Sequence, residues 1–245
     1  MPSGAGNSRN MPSGKQVLET GREALVSLTS MVGSTATNIL KKFSNPVVAS
    51  RTYRYLSRQI SQDMVGIEEG KTIVFSSLTS LEVNSEILLM LAYFLQDELN
   101  VKVLVVDATL RGNGVTKLLN QGARQGVMEI LAGKGQLTVA DTVTPLVGGK
   151  VSFMGAGDIA NNPMAHFTEN QVRNFFAALK QDYDYVILQQ DYIQEDTRYL
   201  LFARCANMII MHLEERSTPI AKFEDAKNVF REHRITNVKY ILSEP

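Results

Sequence analysis

The sequence predicts an α/β fold: a single domain with a doubly wound, mostly parallel sheet and helices on both faces. Two unbroken apolar runs, 103–106 and 208–211, have the pattern of strands that are buried on both sides. Strand-like and helix-like segments alternate along the chain, which is typical of βαβ units. An apolar strand at 72–77 also precedes an apolar helix at 84–98, and strand, loop, helix is the frame of a phosphate-binding loop.

The remaining elements follow from the same two periodicities, with turn residues between them. The expected strands are 72–77, 102–107, 151–154, 184–188, 207–212 and 237–242. The expected helices are 84–98, 114–120, 126–132, 165–181, 195–204 and 219–233. Because ligands of such sheets bind at the carboxyl ends of the strands, the segment 76–86 is the first candidate for a site.

The N-terminal region is predicted to be separate from this domain, which we place at 50–245. Residues 1–14 are rich in glycine, serine, proline and asparagine, a composition typical of disorder. Residues 15–49 have partly helical apolar spacing and are interpreted as a helical extension. Such an extension either packs on its own domain or docks on a partner or a membrane surface.

Composition excludes several functional classes. Lysine plus arginine and aspartate plus glutamate number 25 each, so the chain lacks the basic footprint of a nucleic-acid-binding protein. One cysteine, Cys205, excludes an internal disulfide and suits a reducing compartment. No apolar run approaches the ~20 residues that span a bilayer, and no signal-peptide pattern opens the chain. We expect a cytoplasmic protein, either alone or on a membrane-bound partner.

The segment 76–86 lacks the chemistry of a working phosphate-binding loop. Glycines let loop amides turn inward onto phosphate, and a lysine neutralises the β and γ phosphates. Here the glycine places hold Leu81 and Val83, and the lysine place holds Asn84. The sequence therefore favours a nucleotidase-type fold that serves a purpose other than nucleotide hydrolysis.

Two further motifs follow in order. Residues 107–111 read Asp-Ala-Thr-Leu-Arg after an apolar strand, and residues 183–192 read Tyr-Asp-Tyr-Val-Ile-Leu-Gln-Gln-Asp-Tyr. With Ser-Leu-Glu-Val-Asn-Ser-Glu at 80–86, they resemble the motifs of one family: the cytoplasmic domains of bacterial tyrosine kinases and polysaccharide copolymerases, among the MinD-like deviant Walker P-loop ATPases. The resemblance covers about residues 50–245.

Compared with active members of that family, the residues that this chain lacks all belong to the site of phosphoryl transfer. Their Pro-Gly-Glu-Gly-Lys-Ser-Thr loop keeps its serine here as Ser85 but has lost both glycines and the lysine. Asp107 and Arg111 are kept from their Asp-Ala-Asp-Leu-Arg motif, while the second aspartate has become Thr109. The metal-side aspartate of the third motif has become Gln189. Mg²⁺ favours carboxylate and phosphate oxygens, so a neutral amide is a poor replacement.

The resemblance implies a catalytically inactive, kinase-like scaffold in bacterial exopolysaccharide or capsule biosynthesis and export. Its implied partner is a membrane-spanning polysaccharide copolymerase, with a homo-oligomer as a further candidate and no nucleic acid. We expect no cofactor, no metal and no bound nucleotide, with Asp107, Arg111 and Gln189 as remnants of a lost site.

A helix expected over 50–63 is the predicted contact surface. Its apolar stripe starts at Tyr53 and leaves Arg51, Arg54 and Arg58 outside. In the kinases the corresponding segment joins subunits into rings. We therefore expect these arginines to contact an acidic surface of a partner or of a second copy.

Two other interpretations stay open at this point. A rewired kinase or ATPase would use Glu82, Ser85, Asp107 and Asp191 to hold a metal, although no basic residue replaces the lysine at Asn84. A MinD-like positioning protein for a polar organelle or a cellulose machine would also act through partners, and fold alone does not separate it from the scaffold.

Overall fold

The computed structural model of the chain describes residues 46–78, 81–110, 112, 114–121, 125–133, 137–146, 149, 151–159, 167–192 and 197–243. The predicted segment 1–14 and all but the end of the predicted extension 15–49 lie outside these residues. Among the described helices, none combines the length and the apolar character that a membrane span requires.

A mostly parallel sheet forms the centre of the described chain, as predicted. Its order is β3-β4-β2-β5-β1-β6-β7, and the β3–β4 pair alone among these is antiparallel. The strands are β1 (Lys71–Ser77), β2 (Val103–Asp107), β3 (Val143–Pro145), β4 (Val151–Met154), β5 (Tyr185–Gln189), β6 (Met208–Glu214) and β7 (Val238–Ser243). The sequence did not predict β3, because it has three residues, ends in proline and lies at the margin of the sheet.

Helices cover both faces of this sheet. They are α1 (Pro46–Asp63), α2 (Leu81–Leu99), α3 (Val115–Leu118), α4 (Val127–Leu131), α5 (Val139–Thr142), α6 (Glu169–Leu179), α7 (Leu200–Cys205) and α8 (Ile220–Glu232). A 3₁₀ turn (Thr197–Tyr199) precedes α7, so the helix predicted over 195–204 is two shorter pieces. The four-residue α5 was not predicted, since one turn leaves too short a pattern to recognise.

Two helices begin earlier than predicted. Proline is tolerated in the first turn of a helix, where its missing N–H would have no partner, and α1 therefore starts at Pro46 rather than at residue 50. The predicted boundary between the extension 15–49 and the domain 50–245 thus falls inside α1. Similarly, α2 starts at Leu81 rather than at residue 84.

Alternate residues of the central strands divide the apolar core into two layers. Ile73 and Phe75 of β1 lie in the layer that α1 and α2 cover, whereas Val74 faces the layer of α6, α7 and α8. The layer on the α1 side includes a stacked pair, Tyr53 and Phe94, with ring centroids 5.6 Å apart. Burial of both strand faces explains the unbroken apolar runs from which the parallel sheet was predicted.

The sheet brings the three motif-bearing strands side by side. β5 lies between β1 and β2, and Gln189 pairs in register with Phe75 on one side and with Asp107 on the other. Their carboxyl ends therefore form one continuous margin, which we call the carboxyl edge.

Candidate functional site at the carboxyl edge

The structure brings three of the predicted site residues together at the carboxyl edge. Asp107 ends β2, Gln189 ends β5, and Ser85 lies in the second turn of α2. All three side chains are fully buried. In the family that the motifs resemble, these positions belong to the metal and phosphate site, so their hydrogen bonds decide what this edge can do.

Gln189 connects α2 to α3 through both ends of its amide. Its Oε1 accepts from the backbone N–H of Val115 at 2.8 Å, and its Nε2 donates to Ser85 Oγ at 2.7 Å. The direction is unambiguous, because a backbone N–H can only donate and so must face the oxygen of the amide. The nitrogen must then face the serine.

This geometry does not fit a magnesium ion between Ser85 and Gln189. Mg²⁺ requires oxygen ligands at about 2.0–2.1 Å in a nearly octahedral arrangement. Here an N–H group points at the serine oxygen. The carbonyl end of the same amide is directed at the start of α3. The amide thus links two helices through the protein's own donors and acceptors.

Asp107 is likewise bonded within the chain. Its Oδ1 accepts from Thr109 N at 2.9 Å and from Thr109 Oγ1 at 2.7 Å, and its Oδ2 accepts from Thr116 N at 2.7 Å. The carboxylate thus anchors both ends of the segment between β2 and α3. Gly114 makes this possible, because a Cβ there would lie 2.6 Å from both Asp107 Oδ1 and Thr109 Oγ1.

Asp191 anchors the middle of the same segment. Its Oδ2 accepts from Leu110 N at 2.7 Å and from the hydroxyl of Tyr199, which is itself buried. The backbone carbonyl of Asp191 accepts from Ser76 Oγ at 3.1 Å. No group of three or more histidine, cysteine, aspartate or glutamate side chains in the described part of the chain is arranged to hold a metal.

The first turn of α2 occupies the places of the phosphate-binding loop. β1 ends at Ser77 and α2 begins at Leu81, so only residues 78–80 connect them. Leu81 and Val83, at the glycine places, lie in the first turn of the helix. The two glycine places are therefore helical in this chain.

Asn84, at the lysine place, points into the protein. It is fully buried, and both of its amide atoms lack a hydrogen-bond partner among the residues that the structure describes. A phosphate-binding lysine must instead reach the loop opening with a charged head group. Burial at this position thus excludes the charge that the chemistry would require.

β6 adds a buried histidine to the same edge. His212 Nε2 lies 2.9 Å from Ser243 Oγ, and its Nδ1 lies 3.4 Å from Ser77 Oγ. Burial lowers the pKa of His212 to about 4, so the ring is neutral at physiological pH. His212 therefore joins β1, β6 and β7 as a polar connector.

The arginines predicted as partner contacts divide into two groups. Arg54 lies 2.7 Å from Asp97 and 2.8 Å from Glu98, and Arg58 also pairs with Glu98. Hydrogen bonds from Arg54 and Arg58 lower the pKa of Glu98, which keeps this carboxylate charged. Arg54 and Arg58 thus fasten α1 to α2, which sequence reasoning missed, whereas Arg51 is exposed.

Several site residues could not be assigned from the motifs. Arg111 lies outside the described residues, so its predicted role stays a prediction. The backbone amides of Val115 and Thr116 and the hydroxyl of Tyr199 were not predicted, because they are partners only in three dimensions. Gly114 before a short helix was the one local signal that a close approach was required.

Solved structures with a similar fold include bacterial tyrosine-kinase domains and a ParA family ATPase. The kinase domain of Escherichia coli tyrosine kinase ETK superposes with a TM-score of 0.70 at 19% identity, over 80% of this chain and 75% of that one. The BceF tyrosine kinase domain gives a TM-score of 0.70 at 19% identity, over 95% and 90%. A ParA family ATPase from Chlorobium tepidum gives 0.58 at 17% identity, over 71% and 73%.

The chain has the fold of the bacterial tyrosine-kinase domains. This confirms the resemblance predicted from the degraded motifs. In sequence, the chain is 23% identical over 177 residues to the tyrosine-protein kinase ptk of Acinetobacter johnsonii, a match that covers 72% of this chain. The same match covers 22% of that kinase, so the chain spans about a fifth of the length of this relative. No profile of a known protein family matches the chain.

Proposed function

We propose that this chain is a catalytically inactive, kinase-like scaffold in bacterial exopolysaccharide or capsule assembly and export. It acts by binding a membrane-spanning polysaccharide copolymerase, and it stays in the cytoplasm at the inner face of the membrane through that partner. The polysaccharide pathway comes from the family resemblance.

One observation carries the inactive part of the proposal: the amide of Gln189 donates to Ser85 Oγ where the kinases have a metal carboxylate. Phosphoryl transfer depends on positioning and on charge neutralisation by a metal and by basic side chains. This edge instead offers a neutral amide, a carboxylate with both oxygens bonded internally and a buried asparagine. None of these groups supplies the required positive charge.

The exposed face of α1 is the proposed contact surface. Arg51 is exposed, and Tyr55, one turn further along, keeps 63% of its surface accessible. Tyrosine and arginine are both enriched at protein interfaces. Because Arg54 and Arg58 pair with acids of α2, the proposed contact centres on Arg51 and Tyr55.

A MinD-like positioning protein is the alternative in the same fold. The kinase domains superpose with TM-scores of 0.70, compared with 0.58 for the ParA family ATPase. This difference supports the kinase-like proposal over the positioning one. Both predict action through a partner, and the identity of that partner separates them.

The test measures binding and turnover on one sample. The full chain is co-purified with a membrane-spanning polysaccharide copolymerase from the same organism, and phosphoryl transfer from ATP is assayed on the complex. We expect stable capture without turnover, reduced capture by Arg51→Glu and Tyr55→Ala, and unchanged capture by the control Arg231→Glu on the exposed surface of α8. ATP-dependent phosphorylation by the wild-type chain contradicts the inactive assignment, and equal capture by all variants contradicts the contact surface.

A further inference from the structure

A polar pocket lies at the opposite margin of the sheet, the amino edge, where β6 and β7 begin. It has a volume of about 310 Å³, at the small end of ligand pockets in proteins. Its walls come from the first turns of α6, the end of α7 and the turn between α8 and β7. None of its lining residues takes part in the hydrogen bonds of the carboxyl edge, so it is a separate feature of the molecule.

Positive charge dominates this pocket. Three arginines line it, Arg173, Arg204 and Arg234, with His233 beside them, and Glu169 is the one carboxylate among the described lining residues. Three positive charges and one negative charge leave a surplus of two, counting the histidine as neutral. The whole chain has a formal net charge of zero, so the surplus is local.

Glu169 orients two of the three guanidinium groups. Arg173 donates to Oε1 from Nε at 3.2 Å and from Nη2 at 2.6 Å, and Arg204 Nη2 lies 3.3 Å from Oε2. Hydrogen bonding from Arg173 lowers the pKa of Glu169, so the carboxylate stays charged. A guanidinium has five N–H donors, so one shared carboxylate accepts hydrogen bonds from only some of the N–H groups of Arg173 and Arg204. Glu169 thus favours an orientation in which both guanidinium groups line the pocket.

Arg234 lies on the turn between α8 and β7, and the backbone conformation of this turn places it in the pocket wall. It adopts a left-handed conformation, with φ of 56°, directly after α8. The next residue, Ile235, is buried and donates its N–H to the carbonyl of Phe230 at 2.8 Å. This contact anchors the turn, so the exposed Arg234 belongs to a fixed part of the pocket wall.

The geometry points to a binding site for a phosphate monoester dianion in this pocket. A phosphate monoester carries about −1.5 to −2 charges near neutral pH, which matches the surplus of two. Planar guanidinium forks bind phosphate oxygens in pairs. The pocket also has space beyond one phosphate group for the molecule that bears it. A phosphorylated side chain of a peptide and a small phosphorylated metabolite offer this same chemistry.

Calorimetry on the full chain tests the site with three probes: a phosphoserine peptide, its unphosphorylated form and glycerol phosphate. We expect one-to-one binding of the phosphorylated probes alone. Arg204→Gln and Arg234→Gln should each weaken it about tenfold, the loss of one charge-assisted hydrogen bond. The matched control Arg231→Gln, on α8 and bonded to Asn228, should bind as the wild type does.

The two phosphorylated probes separate the sources of the ligand. Tighter binding of the peptide assigns the pocket to a phosphorylated protein segment, and equal binding assigns it to a small phosphorylated metabolite. Thermal unfolding of each variant shows that it is folded. Absence of binding to both phosphorylated probes at millimolar concentration overturns the proposal. Wild-type affinity in folded Arg204→Gln and Arg234→Gln also overturns it. Neither result bears on copolymerase capture.

Discussion

At the carboxyl edge, the side chains of Asp107 and Gln189 take part in three and two hydrogen bonds within the chain. At the amino edge, Arg173 and Arg204 share a single carboxylate, that of Glu169, and keep surplus charge. At the edge at which this fold usually binds ligands, Asp107 and Gln189 are thus bonded within the chain, whereas the other edge offers unmatched charge. Polar residues at a strand end therefore indicate a site only when some bonding capacity is left for a ligand.

The largest expected effect comes from breaking the bonds of the carboxyl edge at Asp107. Asp107→Ala leaves the amides of Thr109 and Thr116 without their buried acceptor. We expect it to lower the free energy of unfolding by roughly 3 kcal/mol, because each hydrogen bond to a charged group contributes about 1.5–3 kcal/mol. Urea unfolding measures the loss, with the exposed Asp225→Ala on α8 as the control. A change below about 0.5 kcal/mol, the size typical of surface substitutions, would contradict the anchoring role.

His212 gives this edge a pH dependence. Its folded-state pKa is about 4 and its ordinary value is 6.5, with burial as the cause. The unfolded chain therefore binds a proton that the folded chain does not as the pH falls from 6.5 to 4. Stability should decline over that window, by at most about 3 kcal/mol from this group.

The measurement is the free energy of unfolding against pH for the wild type and for His212→Gln, which can still hydrogen-bond to Ser243. Carboxylates contribute equally to both curves, so their difference isolates the histidine. Parallel curves between pH 4 and 6.5 would contradict this assignment.

Gln189 should show coupling to Ser85. Gln189→Leu leaves Val115 N without its acceptor, and we expect a loss of about 2 kcal/mol. Ser85→Ala should cost less in the Gln189→Leu background than in the wild type, because the shared hydrogen bond is already gone. A double-mutant cycle by urea unfolding measures this. Strict additivity would show that the 2.7 Å contact contributes nothing.

The smallest effects are expected on α1. Arg54 pairs with two acids and lies over the ring of Phe94 at 5.4 Å, so Arg54→Ala should cost about 1 kcal/mol. Arg58 is more exposed, and Arg58→Ala should cost about 0.5 kcal/mol or less. Arg51→Ala should leave thermal unfolding unchanged. A larger loss of stability for Arg51→Ala than for Arg54→Ala would contradict these assignments, in which Arg54 joins α1 to α2 and Arg51 contacts a partner.

The sequence predicted the parallel sheet and the location of the edge because both follow from local patterns. The sequence itself contains the apolar runs of β2 and β6. It also shows the residues that replace the glycines and the lysine of the loop, which are Leu81, Val83 and Asn84. The start of α1 was missed because proline usually marks the end of a helix. The start of α2 was missed because residues 81–83 align with a phosphate-binding loop and were therefore predicted to be a loop. The partners of Asp107, Gln189 and Arg54 could not be predicted, since they come from separate segments that only the fold brings together.

Thermal unfolding with ATP and Mg²⁺ tests the central claim, that Asp107 and Gln189 are bonded within the chain and that the carboxyl edge holds no nucleotide. A site at 100-fold excess of ligand over its dissociation constant would stabilise the fold by about 2.7 kcal/mol. In a chain of this length that corresponds to an upward shift of the unfolding temperature of about 5 °C or more. We predict no shift for the wild type, with an intact tyrosine-kinase domain as the positive control. A shift of that size, lost in a folded variant of Ser85, would contradict the claim.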